Sequence, residues 1–267
     1  MMRGILAAIV IFGAQVVSSD TMRIAVTTSF DNSGLADVLL PVIKADLDLD
    51  VQLLVVGTGQ ALRLGAAGDV DAVLVHSKAA EEAFVAAGHG THRREIMYND
   101  FVFIGGLADH ADIATASSAT EALQRIAGAE SLFVSRGDDS GTYKAELRIW
   151  AAADLDVDSF GPWYRSVGAG MGAALNAANG MEAYVFSDRA SWLNFGNKGG
   201  LALLFSGDPM LFNQYAFLPV DPNKHTSVRH DLALALEGWL TSPRAAALIN
   251  GYTIDGQNLF IFNAVPN

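Results

Sequence analysis

The chain has no cysteine. That excludes disulfides, thiol chemistry and a lipid anchor carried on an N-terminal cysteine. Proline is scarce, at 7 of 267 residues. No repeat, low-complexity tract or long linker divides the chain. Positive charge is also short: 17 Lys and Arg against 29 Asp and Glu give a formal charge of −12. A broad basic face for nucleic acid is thereby excluded. An acidic protein can still hold an anion if backbone dipoles and one or two cations supply the site locally. Long apolar runs are missing apart from the N-terminus.

What the chain does have is apolar mass. At 51% hydrophobic residues it can bury one large core or two medium ones. Residues 1–19 read as a secretory signal peptide: Arg3 gives a positive start, Ile5–Phe12 an apolar stretch, and Val17-Ser18-Ser19 small residues at the cleavage end. The apolar stretch is too short for a comfortable membrane span. Its removal deletes Arg3 as the only charge, taking −12 to −13. The expected location is the periplasm, without a lipid anchor.

Strands alternate with helices throughout, which implies an α/β fold with mainly parallel sheets. Arg23–Val26, Val51–Val56, Asp71–His76, Asn99–Gly105, Ser131–Val134, Ala183–Phe186, Leu201–Phe205 and Tyr215–Val220 read as strands. His230–Leu240 and Ser242–Asn250 read as closing helices, the second with Pro243 at its first position.

Three strand-to-helix turns carry the chemistry. Ser135-Arg136-Gly137-Asp138-Asp139-Ser140-Gly141-Thr142 joins a buried strand to a helix starting near Tyr143. Asp139 or Ser140 is the expected cap, because an oxygen there accepts from the first free N–H groups. The other free N–H groups and the helix dipole attract an anion. Ser140 and Thr142 add hydroxyls, Gly141 permits close approach, and Arg136 adds a forked charge. Thr27-Thr28-Ser29 forms the second turn, followed by a helix expected to be capped by Asn32 or Ser33. Gly57-Thr58-Gly59-Gln60 forms the third. Each turn alone also fits ordinary capping. Ligands of open α/β sheets, however, lie beyond strand carboxyl ends. Converging, the three turns would make a donor-only pocket for a small, multiply charged oxyanion.

Other patterns carry less. His76, His89 and His92 fit no common zinc spacing. Asp46, Asp48 and Asp50 lack the glycine and glutamate of a calcium loop. Gly168–Ala173 follows no convincing strand, so it is a poor dinucleotide fingerprint. Ser140 has no evident His and Asp partners for a hydrolase. Binding is favoured over catalysis, with no catalytic residue, cofactor or cation ligand assigned.

Several strings occur together and in order: Thr27–Ser29 with Ser33-Gly34-Leu35, Val56–Leu62, Gly68–His76, Met97–Val102, Ser135–Thr142, Gly170–Asn176, Ser187-Asp188-Arg189, Gly207–Asn213 and Gly238–Pro243. Across nearly the whole chain beyond residue 19 this resembles the periplasmic tungstate-binding proteins of ABC transporters. The resemblance implies a type II periplasmic-binding-protein fold. Its lobes would be 20–102 with 213–267, and 103–212, with the ligand in the cleft between them. It further implies a monomer that hands tungstate to an inner-membrane permease. It carries oxyanion contacts onto Thr28, Ser29, Thr58, Arg136, Ser140, Gly141 and Thr142. Molybdate, sulfate or phosphate are the alternative ligands, and a hydrolase or phosphoryl-handling enzyme using Ser140 is the remote alternative. The sequence departs from the family at Phe30, where another Thr is expected. It departs again at His76-Ser77-Lys78, in place of a small-residue and proline version, and at Asn213-Gln214, in place of Asn-Pro. Phe30 would remove a donor or close one side of the pocket.

Overall fold

A computed structural model describes residues 20–265, so the signal-peptide reading lies outside the described residues. In chain order the elements are β1 (Asp20–Thr27), α1 (Thr28–Asn32), α2 (Leu35–Leu47), β2 (Leu49–Val56), α3 (Thr58–Ala67), β3 (Ala72–Val75), α4 (Lys78–Ala86) and β4 (Arg94–Gly106). There follow α5 (Ala119–Gly128), β5 (Phe133–Ser135), α6 (Gly141–Ala152), β6 (Tyr164–Ser166), α7 (Met171–Met181), β7 (Tyr184–Asp188), α8 (Arg189–Asn194) and β8 (Leu201–Phe205). The chain closes with β9 (Phe212–Pro219), α9 (His230–Leu240), α10 (Pro243–Gly251), β10 (Thr253–Ile254), β11 (Gln257–Asn258) and β12 (Ile261–Phe262).

Two groups of parallel strands are strung on two long antiparallel ones. The first group is β2–β1–β3 and the second β7–β5–β6. Between them β9 pairs β3 and β4, and β4 pairs β7 and β8, all antiparallel. β4 is therefore longer than the apolar run at 99–105 suggests. Its first residues, Arg94–Asp100, pair with β9, and its last, Phe101–Gly106, with β7 and β8.

The apolar side chains divide accordingly. Ile24, Val26, Leu74, Phe217 and Trp239 share one core, and Val73, Phe84 and Leu218 pack on the sheet's other face. Phe103, Phe133, Trp150 and Phe186 form another core, while Val102, Val134, Leu175 and Val185 pack behind α7. Parallel strands covered on both faces read as continuous apolar runs, and β3 is buried at every residue. Among the described residues no helix is long and apolar enough to cross a membrane.

The hydroxyl turn after β1 differs from its expected form. Thr27 caps a separate short helix, α1, accepting from Phe30 N at 3.2 Å. The expected cap of α2, Asn32 or Ser33, is replaced by Gly34 at φ 76°, with no side-chain bond. Ser33 instead donates to Phe30 O at 2.6 Å and accepts from Leu35 N at 3.2 Å. One hydroxyl thus joins two helices rather than starting one. Phe30 is buried in the first core, with its ring 6.4 Å from that of Tyr215.

Candidate oxyanion site

All three turns lie at carboxyl ends of parallel strands, and two of them touch. Gly59 N donates to Asp139 O at 3.1 Å, and Arg63 Nη1 bonds Asp139 Oδ2 at 2.8 Å. A Cβ added to Gly141 would lie 2.6 Å from His76 Cε1 and 2.9 Å from Thr58 Oγ1. Only glycine allows the start of α6 to approach Thr58 this closely.

The caps decide which N–H groups stay available. Ser140 caps α6, its Oγ accepting from Tyr143 N at 3.1 Å. The N–H groups of Gly141 and Thr142 have no carbonyl one turn earlier to receive them. Gly57 caps α3 without a side chain. Thr58 is fully buried there, at the positive end of the helix.

Arg136 is 2% exposed, a rare state for a guanidinium. Its Nε and Nη2 donate to Asp138 Oδ2 at 3.2 and 2.6 Å. Nη1 is buried with no partner. Beneath the turn, Ser135 Oγ donates to Glu146 Oε2 at 2.9 Å and accepts from Gly137 N at 3.2 Å. Tyr164 Oη and Trp150 Nε1 donate to Glu146 Oε1 at 2.6 and 3.2 Å. Burial pushes the Glu146 carboxyl up to about 7, against the pull of these three donors. Gly137 sits at φ 58°, where a Cβ would strike Ser166.

The buried polar atoms left without partners concentrate here. Among the described residues they number ten, and eight belong to this region: Thr58 Oγ1, His76 Nδ1, Asn99 Nδ2, Arg136 Nη1, Thr142 Oγ1, Asp188 Oδ2, Ser191 Oγ and Tyr215 Oη. Buried polar groups are normally satisfied, so the unmet donors Thr58 Oγ1, Arg136 Nη1 and Thr142 Oγ1 make this the candidate place for a polar ligand, while His76, Asp188 and Tyr215 also have polar neighbours in Asn213, Ser29 and Thr27. The His76 and Tyr215 rings lie 4.7 Å apart. Burial and the nearby Arg136 charge depress His76 to about 4, so the ring is neutral at pH 7. Asn213, opposite Asn99 on the crossing strands, donates to it at 2.6 Å. A groove of about 780 Å³, lined by Lys78, Lys144 and Arg148, reaches the site's edge at His76 and Gly141.

Of the residues singled out from sequence, Thr58, Arg136, Ser140, Gly141 and Thr142 come together. Ser29 is buried near Asp188, which also feels Arg136. Thr28 is only partly buried and carries no orphaned atom. The donor-only pocket needs correction, because Asp188 brings a fully buried carboxyl among the donors. Sequence reasoning missed Asp188, Ser191, Tyr215 and Asn99. Asp188 ends a strand and starts a helix, the signal that marked the other turns, but an Asp there also reads as a plain cap. The three histidines do not form a cluster. His92 bonds Glu237 at 2.5 Å, and His89 packs on Phe84. Among the described residues, no group of three or more His, Cys, Asp and Glu is placed to hold a metal ion.

Two α/β halves on crossing strands, with polar groups meeting at their strand ends, define a two-lobed solute receptor. The PBP superfamily domain model matches residues 16–244, and the chain belongs to that superfamily. It is 42% identical over 245 residues to the tungstate-binding protein TupA of Peptoclostridium acidaminophilum, covering 90% of this chain and 85% of that one. A solved structure described as the tungstate ABC transporter from Geobacter sulfurreducens superposes with a TM-score of 0.81 at 42% identity, over 88% of this chain and all of that one. The tungstate-binding protein TupA from Desulfovibrio alaskensis gives 0.81 at 39% identity, over 92% of this chain and all of that one.

Proposed function

We propose that the protein is a periplasmic receptor that captures tungstate between its two lobes and delivers it to an ABC permease. The observation that carries this reading is the set of buried, unpartnered donors on two facing turns: Thr58 Oγ1, Arg136 Nη1 and Thr142 Oγ1. The similarity to tungstate-binding relatives across most of the chain supports the choice of ligand. Arg136 supplies the charge and the second lobe's grip. Thr58 binds from the first lobe with Ser29 and Thr28, while Ser140, Gly141 and Thr142 complete the second lobe's side. The lobes are residues 20–102 with 213–267, and residues 103–212. One ligand bridging both turns would favour the arrangement in which Gly59 N bonds Asp139 O.

The role is binding rather than turnover. Ser140, the one nucleophile candidate, uses its oxygen to cap α6. Tungstate and molybdate share charge and shape, so molybdate competes for the same donors. Isothermal titration calorimetry on residues 20–267 with tungstate, molybdate, sulfate and phosphate tests the reading. One-to-one tungstate binding with weak sulfate and phosphate binding is expected. Folded protein that gives no heat with any of them would defeat it.

A further inference from the structure

Among the eight orphaned groups of the site, Asp188 alone is an acid. It is fully buried at the junction of β7 and α8. Its two oxygens have different tasks. Oδ1 accepts from Ser191 N at 2.8 Å and caps α8. Oδ2 has no partner. The Ser29 and Ser191 hydroxyls are near enough to favour the charged carboxyl, but neither closes a bond to Oδ2.

The groups facing Asp188 can be named element by element. Arg136 comes from the β5–α6 turn, with Asp138 already on its fork. Tyr215 comes from β9, and its hydroxyl feels the Asp188 charge. Ser29 comes from α1. On β4, Phe101 is the apolar register partner of Asp188. The neighbouring charges, Arg189 and Asp100, are spent on each other at 2.7 and 2.5 Å. His76, beyond Tyr215, is neutral.

Bringing a dianion into this place poses a charge problem. An ionised Asp188 would add its charge to those of Asp138 and the oxyanion, against a single guanidinium. Unpaired charges are strongly disfavoured in such surroundings. A proton on Asp188 removes the conflict. Oδ1 must keep its lone pair for Ser191 N, so the proton belongs on Oδ2, the oxygen that otherwise has no partner. A carboxylic acid held neutral by its surroundings is an effective hydrogen-bond donor.

We propose that Asp188 is the proton-carrying contact of the oxyanion site: with ligand bound it is protonated on Oδ2 and donates to a fully deprotonated oxyanion. This rests on the receptor reading given above. Its consequence is a proton linkage. Wherever the ligand-free Asp188 is ionised, binding takes up one proton, and affinity falls about tenfold per pH unit as pH rises. Burial raises the Asp188 pKa and Arg136 opposes the rise, so the fall lies on the alkaline side of the ordinary carboxylate range. The acid also bears on selectivity. A donor on Oδ2 disfavours hydrogen phosphate only where its single hydroxyl faces Asp188, whereas all four tungstate oxygens accept.

The test is tungstate calorimetry on residues 20–267 between about pH 5 and 9, in buffers of different ionisation enthalpy. It is paired with the infrared difference spectrum of the tungstate-loaded protein. Asp188→Asn keeps the α8 cap and a neutral donor. The unaltered chain should show a protonated-carboxyl stretch that Asp188→Asn lacks. Asp188→Asn should bind at the acid end within a few-fold of the unaltered chain, with a flatter pH profile. Asp188→Ala, checked for folding by circular dichroism, should bind at least tenfold more weakly than the unaltered chain at the acid end, with a pH profile as flat as that of Asp188→Asn.

Absence of the protonated-carboxyl stretch overturns the proposal whatever the calorimetry gives. So does loss of tungstate binding in folded Asp188→Asn, or phosphate binding that strengthens with pH through an ionised Asp188. Tungstate binding with any of those results would leave the receptor reading standing and remove only the role of Asp188. No oxyanion binding at any pH would remove both.

Discussion

The β2–α3 and β5–α6 turns begin from one local plan and end with different electrostatics. Each leads from the end of a parallel strand to a helix N-terminus, and each presents a buried, unpartnered threonine hydroxyl. The first has a glycine cap and no buried charge. The second has a serine cap and a guanidinium that is 2% exposed. A neutral turn asks little of its surroundings. A buried charge needs bracing, and the second turn has it: Asp138 holds the fork, Ser135 and Glu146 hold the base, and Gly137 lies close against Ser166. For an oxyanion bound as proposed above, the expectation is that affinity follows the second turn and geometric selection the first.

The largest break in that comparison would come from Arg136→Ala. A charge-assisted hydrogen bond contributes about 1.5–3 kcal/mol, so tungstate binding should weaken about 10- to 150-fold by calorimetry. Arg136→Lys restores the charge without the planar fork and should fall between the two. Unchanged affinity in Arg136→Ala would mean that the charged turn is only structural.

The bracing can be tested through pH. Glu146 is raised from 4.5 to about 7, chiefly by burial. A raised acid stabilises the fold fully below its unfolded value, and that contribution is lost as pH climbs through the folded value. The window is therefore pH 4.5 to about 7. Over it the unaltered chain should lose stability, on the order of 2 kcal/mol, relative to Glu146→Gln. Glu81, also raised to about 7 by burial, is present in both chains and cancels in the difference. Urea midpoints at both ends of the window measure it. Parallel profiles would show that Glu146 is already ionised in the fold.

The neutral donors should matter less, and in two directions. If they contact the oxyanion as proposed, Thr58→Val and Thr142→Val should each cost one ordinary hydrogen bond, about 0.5–1.5 kcal/mol, or roughly two- to twelvefold in Kd. Both hydroxyls are unpartnered within the fold. Their removal should leave the melting temperature of the ligand-free protein unchanged or raise it. A lower melting temperature with unaltered affinity would make them packing residues.

The parts of this site legible in the sequence are the local ones. Ser140 caps α6 because a hydroxyl three residues before Tyr143 reaches its N–H, a relation contained in four residues. His230–Leu240 is helical over the span its periodicity marks. Thr27 as the cap of a separate five-residue helix was hidden by the stronger pattern of Leu35–Leu47. The length of β4 was hidden because Asn99 and Asp100 break its apolar run and Arg94 and Glu95 open it, and only pairing with β9 makes that segment a strand. Asp188 and Tyr215 were hidden more deeply. One reads as a cap and the other as a strand aromatic, and their place in the site comes from partners far along the chain.

The smallest expected effect concerns how the two turns are held together. Arg63 reaches from α3 to Asp139 at 2.8 Å, and Lys144 also bonds the same carboxylate. Arg63 is 63% exposed and Asp139 47%, so water and salt screen the pair. Exposed pairs are worth about 0–1 kcal/mol, and Lys144 remains on Asp139 when Arg63 is removed. Arg63→Ala should therefore weaken tungstate binding by less than about fivefold, and high salt should remove the difference. The neighbouring bond from Gly59 N to Asp139 O is a backbone contact that the substitution leaves in place. If Arg63→Ala instead cost as much as Arg136→Ala, the ion pair across the two turns, rather than the buried guanidinium, would set the affinity, and the division between a neutral selecting turn and a charged binding turn would fail.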